Sequence, residues 1–369
     1  MSQVYSFSAT QYQTAPEVLE AIGSRGKHVM QLSSLEMPIA PGFIVDNETI
    51  AAFPDKPDAG WKLLKGAVDS AGKDFGKTFG SAENPLLVKV VESPMLNVSP
   101  NFRSIHNLGL CETTLPGFAE KVGEDFAYQE YAFLISLIAQ LESEAVTDKA
   151  RLKSLDTFIK ALRKANKKAT VVSALKKHDG LMPAELYTDA AFQLSYVVRK
   201  FRDAIKDNPT ASDSALMVQA MVYGNFDEQS SFGAFYTHHI VTGEKVLQGS
   251  FVRQAFDDSD GTGEPIDQID KDYLEHLTSI AKTLEHTFKE IRRVRFTIES
   301  GKLWLIDQTP VPGKSTQAEI RTLLDLHSEG VVDEAHVINA VKPGRLSEIL
   351  HSSLDPESVA KVHAVSGGI

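Results

Sequence analysis

Hydrophobic spacing changes period several times along the chain, and each change marks an element. Residues 16–35 follow a helical pattern broken at Gly23 and Gly26, and Pro41-Gly42-Phe43-Ile44-Val45 turns into a short strand. Residues 85–91 hold a compact apolar run, Leu86, Leu87, Val88, Val90 and Val91, which predicts a buried strand. Between 113 and 188 the period lengthens. Phe126, Tyr131, Leu134, Leu137, Ile138 and Leu141 share one helical face, and Leu152, Leu155, Ile159 and Leu162 repeat the spacing in the next helix. Strands then return over 215–223, 231–237 and 246–252, separated by the turn-like Gly224-Asn225-Phe226-Asp227 and by Thr242-Gly243-Glu244-Lys245. A long helix over 271–291 precedes an alternating hairpin, 294–299 and 303–306, joined by Ser300-Gly301-Lys302. The remainder reads helical down to Ser366-Gly367-Gly368, a linker stub or frayed end. Strands on both sides of a helical block predict an α+β chain with an inserted helical subdomain.

Composition narrows the class. At 369 residues the chain can hold two or three subdomains with cores of their own. Net charge is −11, which excludes a general nucleic-acid binder. Lys160, Arg163, Lys164, Lys167, Lys168, Lys176 and Lys177 form a local basic stretch, read as the solvated face of an amphipathic helix. One cysteine, Cys111, excludes an intrachain disulfide and follows an apolar run, so it is expected to be buried. The polar first sixteen residues carry no signal-peptide pattern, and no apolar run reaches the roughly eighteen residues of a membrane span. A cytoplasmic protein is expected, with neither nucleic acid nor membrane as partner.

Several blocks together carry a resemblance. They are Gly23-Ser24-Arg25-Gly26-Lys27-His28-Val29 with residues 35–43, Pro85-Leu86-Leu87-Val88 with Asn107-Leu108-Gly109-Leu110, residues 218–225 with Thr242-Gly243-Glu244-Lys245, and Phe296-Thr297-Ile298-Glu299 with Gly301-Lys302-Leu303. In this order they resemble the nucleotide-binding N-terminal region of the pyruvate phosphate dikinase family. The resemblance implies an ATP-grasp-like fold, two lobes clamping a nucleotide. Its first α/β lobe would cover 1–112, the helical insert 113–188, the return to that lobe and a hinge strand 189–222, the second lobe 223–312, and C-terminal helices with a linker stub 313–369. In the family this region phosphorylates a histidine on a swivelling domain. The chain is expected to stop where the linker to that domain begins and not to complete the dikinase reaction alone.

Phosphoryl transfer rests on positioning and on neutralising charge with cations and magnesium. The resemblance makes Arg25, Gln219, Tyr223, Arg295 and Gln308 the candidate nucleotide-binding residues, and Asp307 and Gln308 the candidate metal ligands. It also exposes departures. Arg25 stands where the family carries lysine. Val91, Glu92 and Ser93 replace an arginine-serine-glycine phosphate contact, and Glu92 is expected to repel a triphosphate. A Met-Pro-Gly-Met loop is replaced by Val98-Ser99-Pro100-Asn101-Phe102, and a glycine-threonine-glycine loop by Ser231-Phe232-Gly233, where Phe232 adds bulk. Arg295 takes the place of a metal-binding glutamate, and Pro310 that of an arginine. ATP is thus the expected ligand, while magnesium is not expected. The expected function is that of a catalytically inactive pseudoenzyme, a scaffold, regulator or nucleotide sensor acting on a protein partner. The alternative is the ATP-binding subunit of a split phosphotransferase, a kinase half-reaction on a histidine of a separate protein.

Other motifs lead nowhere. Pro312-Gly313-Lys314-Ser315-Thr316 mimics the end of a P-loop but has Gln308 where the first glycine belongs. Asp257-Asp258-Ser259-Asp260-Gly261 fails the calcium-loop pattern at Phe256. His238 and His239, adjacent on a predicted strand, point to opposite faces and cannot chelate together.

Overall fold

The computed structural model describes residues 4–95, 104–206, 214–256, 263–346 and 349. The acidic loop beginning at Asp257, the Val98–Phe102 replacement and the Ser366-Gly367-Gly368 tail lie outside the described residues. The chain is α+β, built on antiparallel sheet and packed helices.

Strands β1 (Val4–Phe7), β2 (Gly42–Val45), β3 (Thr78–Phe79), β4 (Pro85–Leu86), β5 (Val88–Ser93), β6 (Ser104–Leu108) and β7 (Ala215–Ala220) precede β8 (Ser231–Tyr236), β9 (Gln248–Arg253), β10 (Glu264–Pro265), β11 (Arg292–Glu299) and β12 (Lys302–Pro310). One sheet runs β1-β2-β7-β5-β6, a second β10-β9-β8-β11-β12, and β3 pairs with β4. Contacts divide the chain into two compact units. The first comprises Met1–Gly233, Phe251–Gly263 and Arg295–Gln308, and the second Ala234–Ser250, Glu264–Val294 and Thr309–Ile369. The helices between 113 and 188 lie in the first unit, and residues 223–312 are shared between the two.

In the first unit β7 sits centrally, flanked by β2 and β5, and all six of its side chains are buried, as a strand covered on both faces requires. Helices Glu124–Glu144 and Lys149–Lys164 present the predicted faces to the core. Leu155, Phe158 and Leu162 are each at most 1% exposed, which stabilises by roughly 1.5–3 kcal/mol apiece. The basic stretch is not one helix. Ala165 leaves helical geometry and a second helix, Lys168–Lys177, follows.

The pattern over 16–35 breaks once, at Gly23, where φ is +68° and helix Gly23–Ser34 starts. Gly26 does not break the helix; it is the small residue that lets the helix pack against Ile44, whose Cδ1 an added Cβ would approach to 3.0 Å. This helix has no side-chain cap of its own, since Ile22 precedes it. The end of β5 and the residue after it supply the missing acceptors: Gly26 N donates to Ser93 Oγ at 3.0 Å and Ser24 N to Pro94 O at 2.9 Å.

In the second unit helix Lys271–Phe288 ends earlier than the sequence pattern suggests, because Lys289 turns left-handed at φ 57° and β11 begins three residues later. Ile291, Val311 and Ala318 form a small core there. Helix Thr316–Ser328 is capped by Ser315, whose hydroxyl accepts from Ala318 N at 2.9 Å. The P-loop mimic is therefore an ordinary helix entry, and its Lys314 lies 3.8 Å from both Glu290 and Glu319. Among the described residues, no helix is long and apolar enough to cross a membrane.

Candidate functional site

The first unit contains a cavity of about 730 Å³. Its walls come from β5, β6, β7 and β11 and from helices at 23–34, 124–144 and 149–164. Arg25, Lys89, Arg163 and Arg295 bring positive charge, Phe133, Phe232 and Phe256 bring aromatic surface, and Gln129, Glu130, His106 and Gln219 bring hydrogen-bonding groups.

Strand alternation explains which residues arrive there. On β5, Lys89 and Val91 face the cavity, while Val88 and Val90 belong to the hydrophobic core on the other face. Glu92 shares the parity of those core valines and is not on the cavity wall, so the expected repulsion of a phosphate chain has no geometric basis. Ser93 is a structural residue: besides receiving Gly26 N, its hydroxyl donates to Ile22 O at 2.7 Å.

Gln219, directly opposite Lys89 in the β5–β7 register, is 2% exposed. Its Nε2 donates to Ala40 O at 3.0 Å, and its Oε1 receives no hydrogen bond among the described residues. A buried acceptor left this way is costly unless a ligand supplies the donor.

Arg295 reaches from β11 to Asp307 on β12. Its Nε lies 3.1 Å from each carboxylate oxygen and its Nη2 lies 2.6 Å from Oδ2, a bidentate pair. Burial pulls the Arg25 guanidinium below its ordinary range; Asp307 opposes this and Arg295 adds to it. Lys89, half-buried on β5, lies in the same field. Burial lowers its ammonium to about 8, Asp307 holds it up, and Arg295 and Arg25 push it down.

Two predicted site residues do not reach the cavity. Tyr223 is 1% exposed and packs among Phe118, Phe226 and Phe256; its hydroxyl donates to Asn107 Oδ1 at 2.6 Å, and burial raises its phenol well above the usual range. Gln308 is 1% exposed and is not on the cavity wall, although Ile306, two residues before it on the same face of β12, is. The geometry thus joins Arg25, Gln219 and Arg295, with Asp307 held as an arginine partner, and leaves Tyr223 and Gln308 in the interior.

Sequence reasoning missed Lys89; Arg163, expected on a solvated face, is exposed at the cavity and donates to Gln140 Oε1 at 2.6 Å. The one signal for Lys89 was its place as the single charge inside the apolar run 86–91. Glu299 was also missed. It accepts from Lys77 Nζ at 2.5 Å and from Tyr223 N at 2.8 Å, and burial still raises its carboxyl above the usual range.

Comparison with known proteins agrees with the order of the sequence blocks. No family model matches the chain. Pyruvate, phosphate dikinase of Treponema pallidum is 38% identical over 363 residues, covering 94% of this chain and 39% of that protein. The Entamoeba histolytica enzyme of the same name is 27% identical, covering 94% and 43%, and pyruvate, phosphate dikinase 1 of Zea mays, chloroplastic, is 24% identical, covering 100% and 42%. The chain spans about two-fifths of the length of the curated relatives it matches. It belongs to the pyruvate, phosphate dikinase family, as a relative of one segment of those proteins.

Proposed function

We propose that the first unit is an ATP-grasp-like domain that binds a nucleoside polyphosphate in its cavity without transferring a phosphoryl group, and that a protein partner reads the bound state. The observation that carries this is the composition of the cavity wall: four cationic side chains, with Asp307 already held in a bidentate pair by Arg295. Excess positive charge suits a polyphosphate. The unmatched Gln219 Oε1 asks for a donor as well, which a ribose hydroxyl or a purine amine brings.

The donor set does not fit magnesium. That ion needs uncommitted carboxylate or amide oxygens. Asp307 is engaged by Arg295, Glu299 by Lys77 and the Tyr223 amide, and Glu130 Oε2 receives Asn107 Nδ2 at 2.6 Å. Phosphate charge would instead be met by Arg25, Lys89 and Arg295, which bind and orient while supplying no metal-assisted activation.

Calorimetric titration of ATP, with and without magnesium, tests this reading. Binding insensitive to magnesium, with no ATP consumed, is expected. Arg295→Glu should weaken metal-free binding about ten- to a hundredfold, since it removes a charge-assisted contact and frees Asp307. ATP consumption accompanied by phosphorylation of a histidine-bearing protein would overturn it in favour of the split phosphotransferase.

A further inference from the structure

The cavity holds one cation that the sequence blocks did not nominate. Lys89 is the second residue of β5, directly across from Gln219, and its ammonium has no hydrogen-bond or ion-pair partner among the described residues. Lys89 is only partly exposed, and an ammonium held in a half-buried position without a fixed counter-ion weakens the fold unless something else gains from it. Val91 is the next cavity-facing position on the same strand, two residues on, and is 5% exposed. The two positions share one wall, and the charge on that wall is at 89.

We propose that Lys89 is a direct phosphate contact for the polyphosphate bound in this cavity, acting beside Arg25 and Arg295, and that binding is accompanied by proton uptake at Lys89. The inference rests on the polyphosphate reading given above. The groups facing Lys89 are Arg25 from the helix at 23–34, Arg295 and Asp307 from β11 and β12, His106 from β6 and Gln219 from β7. Asp307 is the acid among them and is shared with Arg295; Glu130 and Arg163, from the helices at 124–144 and 149–164, line the same cavity, with Glu130 accepting from Asn107 and Arg163 donating to Gln140. An incoming phosphate therefore supplies the counter-charge that Lys89 lacks. The lowered ammonium supports the second half of the proposal: part of the lysine is neutral at mildly alkaline pH until an anion draws the proton on.

The test uses the full chain with ATP and inorganic tripolyphosphate as probes, titrated from about pH 7.5 to about pH 9.5. Wild-type affinity is expected to fall about tenfold across that range. Heats measured in two buffers of different ionisation enthalpy should report net proton uptake. Lys89→Met should bind about ten- to a hundredfold more weakly and lose the pH dependence. Lys89→Arg should keep the affinity and also lose the pH dependence, since guanidinium does not titrate there. Adding Val91→Arg to Lys89→Ser should restore affinity from the neighbouring position on the same wall. Circular dichroism of each variant confirms that it folds.

Tight wild-type binding left unchanged by Lys89→Met would overturn the proposal while leaving the polyphosphate reading intact. Loss of affinity in Lys89→Met without any pH dependence or proton uptake in the wild type would overturn the protonation half. A wild-type chain that binds neither probe would overturn both readings together.

Discussion

Around His238, in the second unit, carboxylates stand beside basic side chains. Its Nδ1 lies 2.5 Å from Glu285 Oε1 and its Nε2 3.5 Å from Asp325, while Lys245 and His286 converge on Glu329 and Lys314 sits between two glutamates. Around Lys89, in the first unit, cations gather on a wall whose carboxylates are spoken for. Both clusters are rich in charge, yet they teach opposite things. A closed cluster contributes to the fold, and its removal should be read in stability. An open cluster weakens the fold in the absence of a ligand, and its removal should be read in binding.

That contrast can be broken at both ends. Glu285→Ala leaves His238, 1% exposed, without its closest partner, and should cost about 3 kcal/mol in urea unfolding while leaving ATP affinity unchanged. A large loss of affinity instead would show that the closed cluster also serves the ligand. Lys89→Met should do the reverse and stabilise the unliganded protein by about 2 kcal/mol at neutral pH. The sign follows from the lowered folded value, about 8 against the ordinary 10.5. Between those limits the unfolded chain holds more protons than the folded one, so wild-type stability should rise with pH, and the variant should lack that slope. Unfolding curves at two pH values decide it. Smallest of all, Lys160→Ala removes an exposed i,i+4 pair with Asp156 and should move stability by no more than about 0.5 kcal/mol. A larger change in stability would remove Lys160 from the solvated face.

Much of the fold could be read from periodicity, because period reports burial. The helical faces of 124–144 and 149–164, the strand at 42–45 and the hairpin of β11 and β12 all follow from it. Chain ends of elements were less legible. Lys289 stops a helix by adopting a left-handed backbone that its side chain does not announce, and Gly26 stays helical because a neighbouring isoleucine leaves room for nothing larger. The site was legible only in part, because motif positions give identity without orientation. Gln308 and Asp307 are neighbours in sequence, and only the structure shows that Arg295 engages Asp307 while Gln308 is buried. Tyr223 was read as a ligand contact, but its polar end is satisfied by Asn107, a residue more than a hundred positions earlier. Lys89 was hidden by the opposite error: inside an apolar run, a single charge reads as noise until the strand shows what it faces.

The seam between Gly23 and Ser93 has a mechanical meaning. A Cβ at residue 23 would come within 2.0 Å of the Ser93 carbonyl oxygen, and the serine hydroxyl bridges Ile22 O and Gly26 N. Helix 23–34 and the end of β5 are thereby riveted, and Arg25 and Lys89 ride on the two riveted parts. The spacing of their Cα atoms is set by backbone, so a ligand has only the two side chains left to order. A substitution at Gly23, which touches no ligand, would register as a defect in recognition.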